Sequence, residues 1–222
     1  MKLYFLSLCI MLAVSFAAKA QSKLIFKDKF MYTDVQVFNE TKRHSIPSLI
    51  DTGCSLCIID SIFAIDSCGI KEDELQTIPV NQTKDKISSA FIDSIFFCGK
   101  TYHKVYCLVA DLTGHYQKYA PKFIVGANIL SSGAWKFDME KNIVEPYDSN
   151  NKAKGIIYKW KNHEDYPDVA IDYIILDSKV YGKKTRFAFD TGCRSNKLQR
   201  GLYVGKPELI QKETANIVNK LS

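Results

Sequence analysis

Leu49–Asp60 reads LIDTGCSLCIID, and Phe187–Leu198 reads FAFDTGCRSNKL. Both stretches lead apolar residues into the tetrapeptide Asp-Thr-Gly-Cys, once in each half of a 222-residue chain. A carboxylate at the end of an apolar strand loses its hydration on burial. Two such carboxylates facing each other relieve that cost by sharing a proton, because like charges about 3 Å apart cannot both ionise. One is then an acid and the other a base, and a water held between them can be deprotonated as it attacks a carbonyl. Thr can brace the loop by hydrogen bonding, and Gly permits positive φ and the close approach of a second backbone. The bland alternative is that Asp51 and Asp190 merely close strands in turns that Gly completes.

The surroundings favour two copies of one unit. Short β-rich runs dominate, broken by turn residues. Strands are expected over Lys23–Phe30 and Met31–Phe38, then over Ser48–Asp51 into the first motif and over Cys57–Ile62 beyond it. Lys71–Leu75 suits a single helical turn. FIDSIFFCGKTYHKVYCLVADL reads as a hairpin turning at Gly99-Lys100. FIVGANIL (Phe123–Leu130) reads as a strand ending at Gly126 and a short helix with Asn128 at its start. WKFDMEKNIVEPY then reads as two strands around a polar turn. After a polar stretch the order restarts: IIYKW, VAIDYIIL, a turn at Tyr181-Gly182-Lys183, and TRFAFD into the second motif. Asp51 and Asp190 are 139 positions apart, which marks an internal duplication. Lys206–Leu221 has helical spacing of its apolar residues.

Asp-Thr-Gly alone arises by chance in roughly one protein of this length in twenty. Two copies after apolar strands, with FIVGANIL at a suitable distance, are far rarer. The set resembles the catalytic loops and the apolar-apolar-Gly element of aspartic proteases of the pepsin and retropepsin type. That resemblance covers most of Lys23–Asp148 and, more weakly, Ile156–Cys193. It implies an all-β fold, mainly β with short helices: a retropepsin/pepsin-like acid-protease β-barrel lobe plus a partial second lobe. It also implies an endopeptidase acting on peptide or protein substrates. Asp51 and Asp190 would be the catalytic dyad, shaped by Thr52, Gly53, Thr191 and Gly192. Ile124, Val125 and Gly126 would form the strand that passes behind the first loop.

Three features depart from that pattern. Only 30 residues follow Gly192, and none of them supplies an apolar-apolar-Gly strand to back the second loop. Arg194 stands where the first loop has Ser55, and a cation there would depress carboxylate pKa values. The segment between Gly69 and Phe91 has no glycine and no clear flap tip. Three arrangements stay open: an intramolecular dyad of Asp51 and Asp190, a homodimer in which Asp51 faces its own copy, and an inactive peptide-binding relative.

The remaining features bound the setting. Lys2, the uncharged apolar run Leu3–Ala18 and the small-x-small site Ala18-Lys19-Ala20 predict a signal peptide over 1–20. The expected mature chain starts at Gln21 and is exported, secreted or periplasmic, without membrane association after cleavage. Its organisation is a first lobe over 21–148, a linker over 149–155 and a partial second lobe over 156–222. The net charge is +6 and falls to +4 when Lys2 and Lys19 leave; without a basic block, nucleic acid is not an expected partner. Six cysteines remain: Cys54, Cys57, Cys68, Cys98, Cys107 and Cys193, with fifteen connectivities open to them. Cys54-x-x-Cys57 has no second such pair and the chain has only four His, so neither a metal nor another cofactor is expected. Asn39-Glu40-Thr41 and Asn81-Gln82-Thr83 match the glycosylation acceptor pattern. His103 and His115 suit solvated or strand-edge roles.

Overall fold

The computed structural model of the chain describes residues 20–79, 86–147, 160–161, 173–180 and 182–193. Most of the expected signal peptide, the expected linker, Arg194 and the expected closing helix lie outside these residues, as does most of IIYKW.

The described chain is mainly β with short helices. Strands β1 (Ser22–Lys23), β2 (Ile25–Lys27), β3 (Phe30–Asn39) and β4 (Lys42–Ile50) lead to the first motif. β5 (Cys57–Asp60) follows it, then a π-helical turn at Phe63–Ser67 and a 3-10 turn at Glu72–Glu74. β6 (Gln76–Pro79), β7 (Lys86–Phe97) and β8 (Lys100–Ala110) come next, then helix α1 (Thr113–Tyr116), β9 (Phe123–Val125) and helix α2 (Ala127–Leu130). β10 (Trp135–Asp138) and β11 (Ile143–Pro146) end the first half; β12 (Trp160–Lys161), β13 (Tyr173–Val180) and β14 (Lys183–Ala188) belong to the second.

Eight strands form one sheet in the order β2-β3-β4-β9-β5-β8-β7-β6, and a further β3–β7 pairing closes six of them into a barrel. Val35, Val37, Ile50, Ile59, Ile92, Ile95, Phe97 and Phe123 fill it and are almost wholly buried. Each such side chain contributes about 1.5–3 kcal/mol by leaving water. β1, β11 and β10 make a second sheet, and β12, β13 and β14 a third.

Several expectations shift in detail. The first expected strand is two: Asp28 and Lys29 both take positive φ and turn β2 into β3, while Leu24 donates its N–H to the Asn142 carbonyl and leaves β1 on β11. β4 begins at Lys42 rather than Ser48, because the β3 pairing runs the length of both strands from Asn39↔Lys42 to Tyr32↔Leu49. The β7–β8 turn centres on Cys98 and Gly99, both at positive φ, one residue earlier than read. The glycine-free segment after Gly69 does fold back as a hairpin, β6 on β7, from Gln76↔Ser89 to Pro79↔Lys86. Its tip, including Asn81, lies outside the described residues.

Asn39 is a poor glycosylation acceptor once the chain is folded. It is buried, its Nδ2 donates to the Cys68 carbonyl at 3.2 Å, and its Oδ1 accepts the Asp93 N–H at 3.4 Å.

Candidate active site

Each Asp-Thr-Gly ends the second strand of a hairpin. β3 and β4 deliver Asp51; β13 and β14, paired from Val180↔Lys183 to Ile175↔Ala188, deliver Asp190. The first loop is backed by β9, which runs parallel to β4 with Leu49 opposite Ile124 and Ile50 opposite Val125. The Asp51 N–H extends that ladder by donating to the Val125 carbonyl at 3.1 Å.

Gly126 must be glycine for a packing reason. Its backbone is extended, but a β-carbon there would overlap the Leu56 carbonyl. Just beyond it, the Ala127 N–H donates to the Cys54 carbonyl at 2.7 Å and the Asn128 N–H to the Ser55 carbonyl at 3.1 Å. Asn128 does more than open a helix, a role that falls to Gly126 as the cap. Its Oδ1 accepts the Cys57 N–H and its Nδ2 donates to the Tyr106 carbonyl, each at 2.9 Å. Sequence reading missed this clamp, since an Asn after Gly-Ala looks like ordinary helix-start chemistry.

The two loops meet through a reciprocal set of hydrogen bonds. The Thr52 N–H donates to Thr191 Oγ1 at 3.0 Å, and the Thr191 N–H to Thr52 Oγ1 at 3.1 Å. Each hydroxyl then donates across to the residue before the opposite aspartate: Thr52 Oγ1 to the Phe189 carbonyl and Thr191 Oγ1 to the Ile50 carbonyl, both at 2.7 Å. Within each loop the glycine N–H donates to its own aspartate: Gly53 to Asp51 Oδ1 at 2.9 Å and Gly192 to Asp190 Oδ1 at 2.8 Å. The glycines also let the carboxylates cross over. A β-carbon on Gly53 would overlap the Asp190 carboxylate, and one on Gly192 the Asp51 carboxylate.

This near-symmetry hides an electrostatic difference. Asp51 is buried, at 8% exposure, whereas Asp190 is exposed. Burial, and then the charge of Asp190, push the Asp51 pKa up to about 7 against the pull of the Gly53 and Cys54 N–H groups. Asp51 is therefore held as a neutral acid over most of the acid range.

The neighbouring groups make poor nucleophiles. Cys54 donates its thiol to the Leu56 carbonyl, and burial followed by the Asp51 charge pushes its pKa up to about 12. His103 is exposed on β8. An apolar layer of Phe30, Tyr32, Leu49, Leu112, Tyr116 and Ile124 packs beneath, with Cys54 against it. The Tyr116 ring meets Phe30 edge-on at 5.3 Å, and burial followed by the Asp51 charge raises its phenol pKa. Alternation along β3 puts Phe30 and Tyr32 on the face of Asp34 and Gln36, opposite the barrel-filling Val35 and Val37, so nothing in the sequence signals that Tyr116 returns to cover them.

No protein-family model matches the sequence, and no curated protein does. Among solved structures, the chain is similar to a retropepsin-like aspartic protease from Rickettsia conorii, at 16% identity over 56% of this chain and 87% of that one, with a TM-score of 0.41. It is also similar to the retroviral protease-like domain of Ddi1 from Leishmania major, at 14% identity over 55% of this chain and 97% of that one, with a TM-score of 0.35.

Proposed function

We propose that this protein is an aspartic-type endopeptidase in which Asp51 and Asp190 of a single chain form the catalytic dyad. The observation that carries this reading is the reciprocal Thr52–Thr191 bonding, with each glycine packed on the opposite carboxylate. A pair of unrelated turns has no reason to make four mutual hydrogen bonds of this symmetry. The same bonding favours the intramolecular dyad over a homodimer, because Thr191 occupies the place that a second Thr52 would take.

The chemistry follows from the asymmetry. A water between the carboxyl groups gives a proton to Asp190 as its oxygen attacks the peptide carbonyl carbon. Asp51, protonated up to about pH 7, donates its proton to the carbonyl oxygen. The tetrahedral gem-diol collapses as the leaving nitrogen takes a proton from Asp190, the C–N bond breaks, and one hydroxyl returns its proton to Asp51 to become the carbonyl of the new acid. Gly53 and Gly192 hold the carboxylates through their N–H groups and leave the space in which they approach.

Export fits the leader-like composition of 1–20. The test is cleavage of a mixed peptide library by the chain from Gln21 to Ser222, at about pH 3 to pH 7, beside Asp51→Asn and Asp190→Asn. Loss of turnover in both variants, each shown to be folded, is the expected result. Loss in Asp51→Asn alone would mean a homodimer of the first half. No cleavage by the folded parent would leave a protease-like binding protein.

A further inference from the structure

β5 and β8 run parallel, and their register puts Cys57 directly opposite Cys107. Both side chains are buried thiols in one core cluster; the Cys107 thiol donates to the Val105 carbonyl of its own strand at 3.6 Å, and Cys57 Sγ accepts the Gly126 N–H at 3.4 Å. Adjacent strands lie about 4.8 Å apart, inside the range of about 4.4–6.8 Å that a disulfide spans between its α-carbons. Something other than sulfur holds the pair there. The Asn128 amide ties the Cys57 N–H to the Tyr106 carbonyl, so β5 and β8 are clamped at Cys57 and at the residue before Cys107.

What sets Cys57 and Cys107 apart is their register, since the thiols of Cys54, Cys98 and Cys107 all turn to backbone carbonyls. The Cys54 thiol turns to the Leu56 carbonyl, and that of Cys98 to the Val144 carbonyl. Cys68 is buried in the same core and near enough to Cys107 to help raise its pKa, but it follows the π-helical turn, outside the ladder that sets Cys57 against Cys107.

We propose that Cys57 and Cys107 join in a disulfide when the chain folds in an oxidising medium, stapling the strand that leaves the first Asp-Thr-Gly loop to the barrel wall. The oxidant is a small-molecule or protein disulfide. One cysteine thiolate attacks it, forming a mixed disulfide and releasing a thiol. The second thiolate displaces the other thiol and forms the Cys57–Cys107 bond. Two electrons and two protons pass to the oxidant, which leaves as two thiols. In the folded barrel, burial raises the Cys107 pKa and keeps reagents out, so exchange is slow in either direction. The bond therefore forms while the barrel is still closing and is then shielded from reductant. It closes the 50 positions from Cys57 to Cys107, and it lies beside Gly126, whose N–H contacts Cys57 Sγ at 3.4 Å.

This inference is independent of peptidase activity and is tested without it. The full chain is refolded from denaturant in a mixture of reduced and oxidised glutathione, then blocked with iodoacetamide under denaturing conditions without reductant. Cleavage before Asp and after Lys and Arg separates Cys57 from Cys68, because Asp60 and Asp66 lie between them. Mass spectrometry should find the Cys57 and Cys107 peptides linked with the loss of two hydrogens. Fragment ions should put the bond at Cys57 and an alkyl group on Cys54. Alkylation of both Cys57 and Cys107, or a link from either to any other cysteine, would overturn the proposal.

Discussion

At the scale of single residues, the two aspartates share a motif and differ in their water. Asp51 titrates at about 7 in the fold against an ordinary 3.8, so the folded state holds its proton more tightly than the unfolded chain does. The stability this confers is fully present below about pH 4 and is lost as pH rises through about 7. Asp51→Asn should remove that loss, so the variant should gain stability over the parent between pH 4 and pH 8 by up to about 4 kcal/mol. Urea unfolding of both proteins at the two pH values measures it, and an unchanged difference would place the proton elsewhere. Gly192 makes a second case. A methyl group there falls on the Asp51 carboxylate, and the carboxylate or the loop must shift to make room. Gly192→Ala should lower kcat by about 100-fold or more, as misplacement of reacting groups by about 1 Å does, with the far-ultraviolet circular dichroism unchanged. The Asp, Thr and Gly positions were legible from type and repetition alone. The inequality of the two acids was not, because it depends on which loop is covered.

At the scale of elements, the first loop is held by pieces remote in sequence. β9 follows Asp51 by more than 70 residues and yet supplies the carbonyl for its N–H. The apolar-apolar-Gly pattern made that strand visible. The Asn128 clamp was invisible, because a side chain bridging β5 and β8 obeys no periodicity. Asn128→Ala leaves the Cys57 N–H and the Tyr106 carbonyl without these partners. It should cost about 2–6 kcal/mol, the sum for two orphaned polar groups, read as a lower denaturant midpoint. A change within error would show that water or a backbone shift replaces the amide. The β6–β7 hairpin teaches the reverse lesson. Its lack of glycine argued against a flap-like turn, but cross-strand pairing of Ile78 with Ile87 and Thr77 with Ser88 builds the hairpin without one at its described base.

At the scale of the molecule, one chain brings together two unequal halves. The first closes a barrel; the second, among the described residues, presents a three-stranded sheet and a loop. The Thr52–Thr191 bonds stand in for the backing strand that the second loop lacks among those residues. Since both aspartates belong to one chain, specific activity should stay constant on dilution, and light scattering should report a monomer at the concentrations where cleavage is measured. Activity that falls steeply as the protein is diluted would instead mark a dyad shared between two copies.

The sequence by itself determined the all-β class, the repeat of Asp-Thr-Gly 139 residues apart and an apolar strand over Ile124 and Val125 that ends before Gly126. These are matters of residue type, alternation and spacing, which local physics writes directly into the chain. Only the tertiary structure decided that the two loops meet, that Asp51 is the covered member, and that Cys57 faces Cys107 across a parallel ladder. Contacts between residues 50 to 140 positions apart are set by how a barrel closes and which groups it shuts away from water, and no local pattern encodes that.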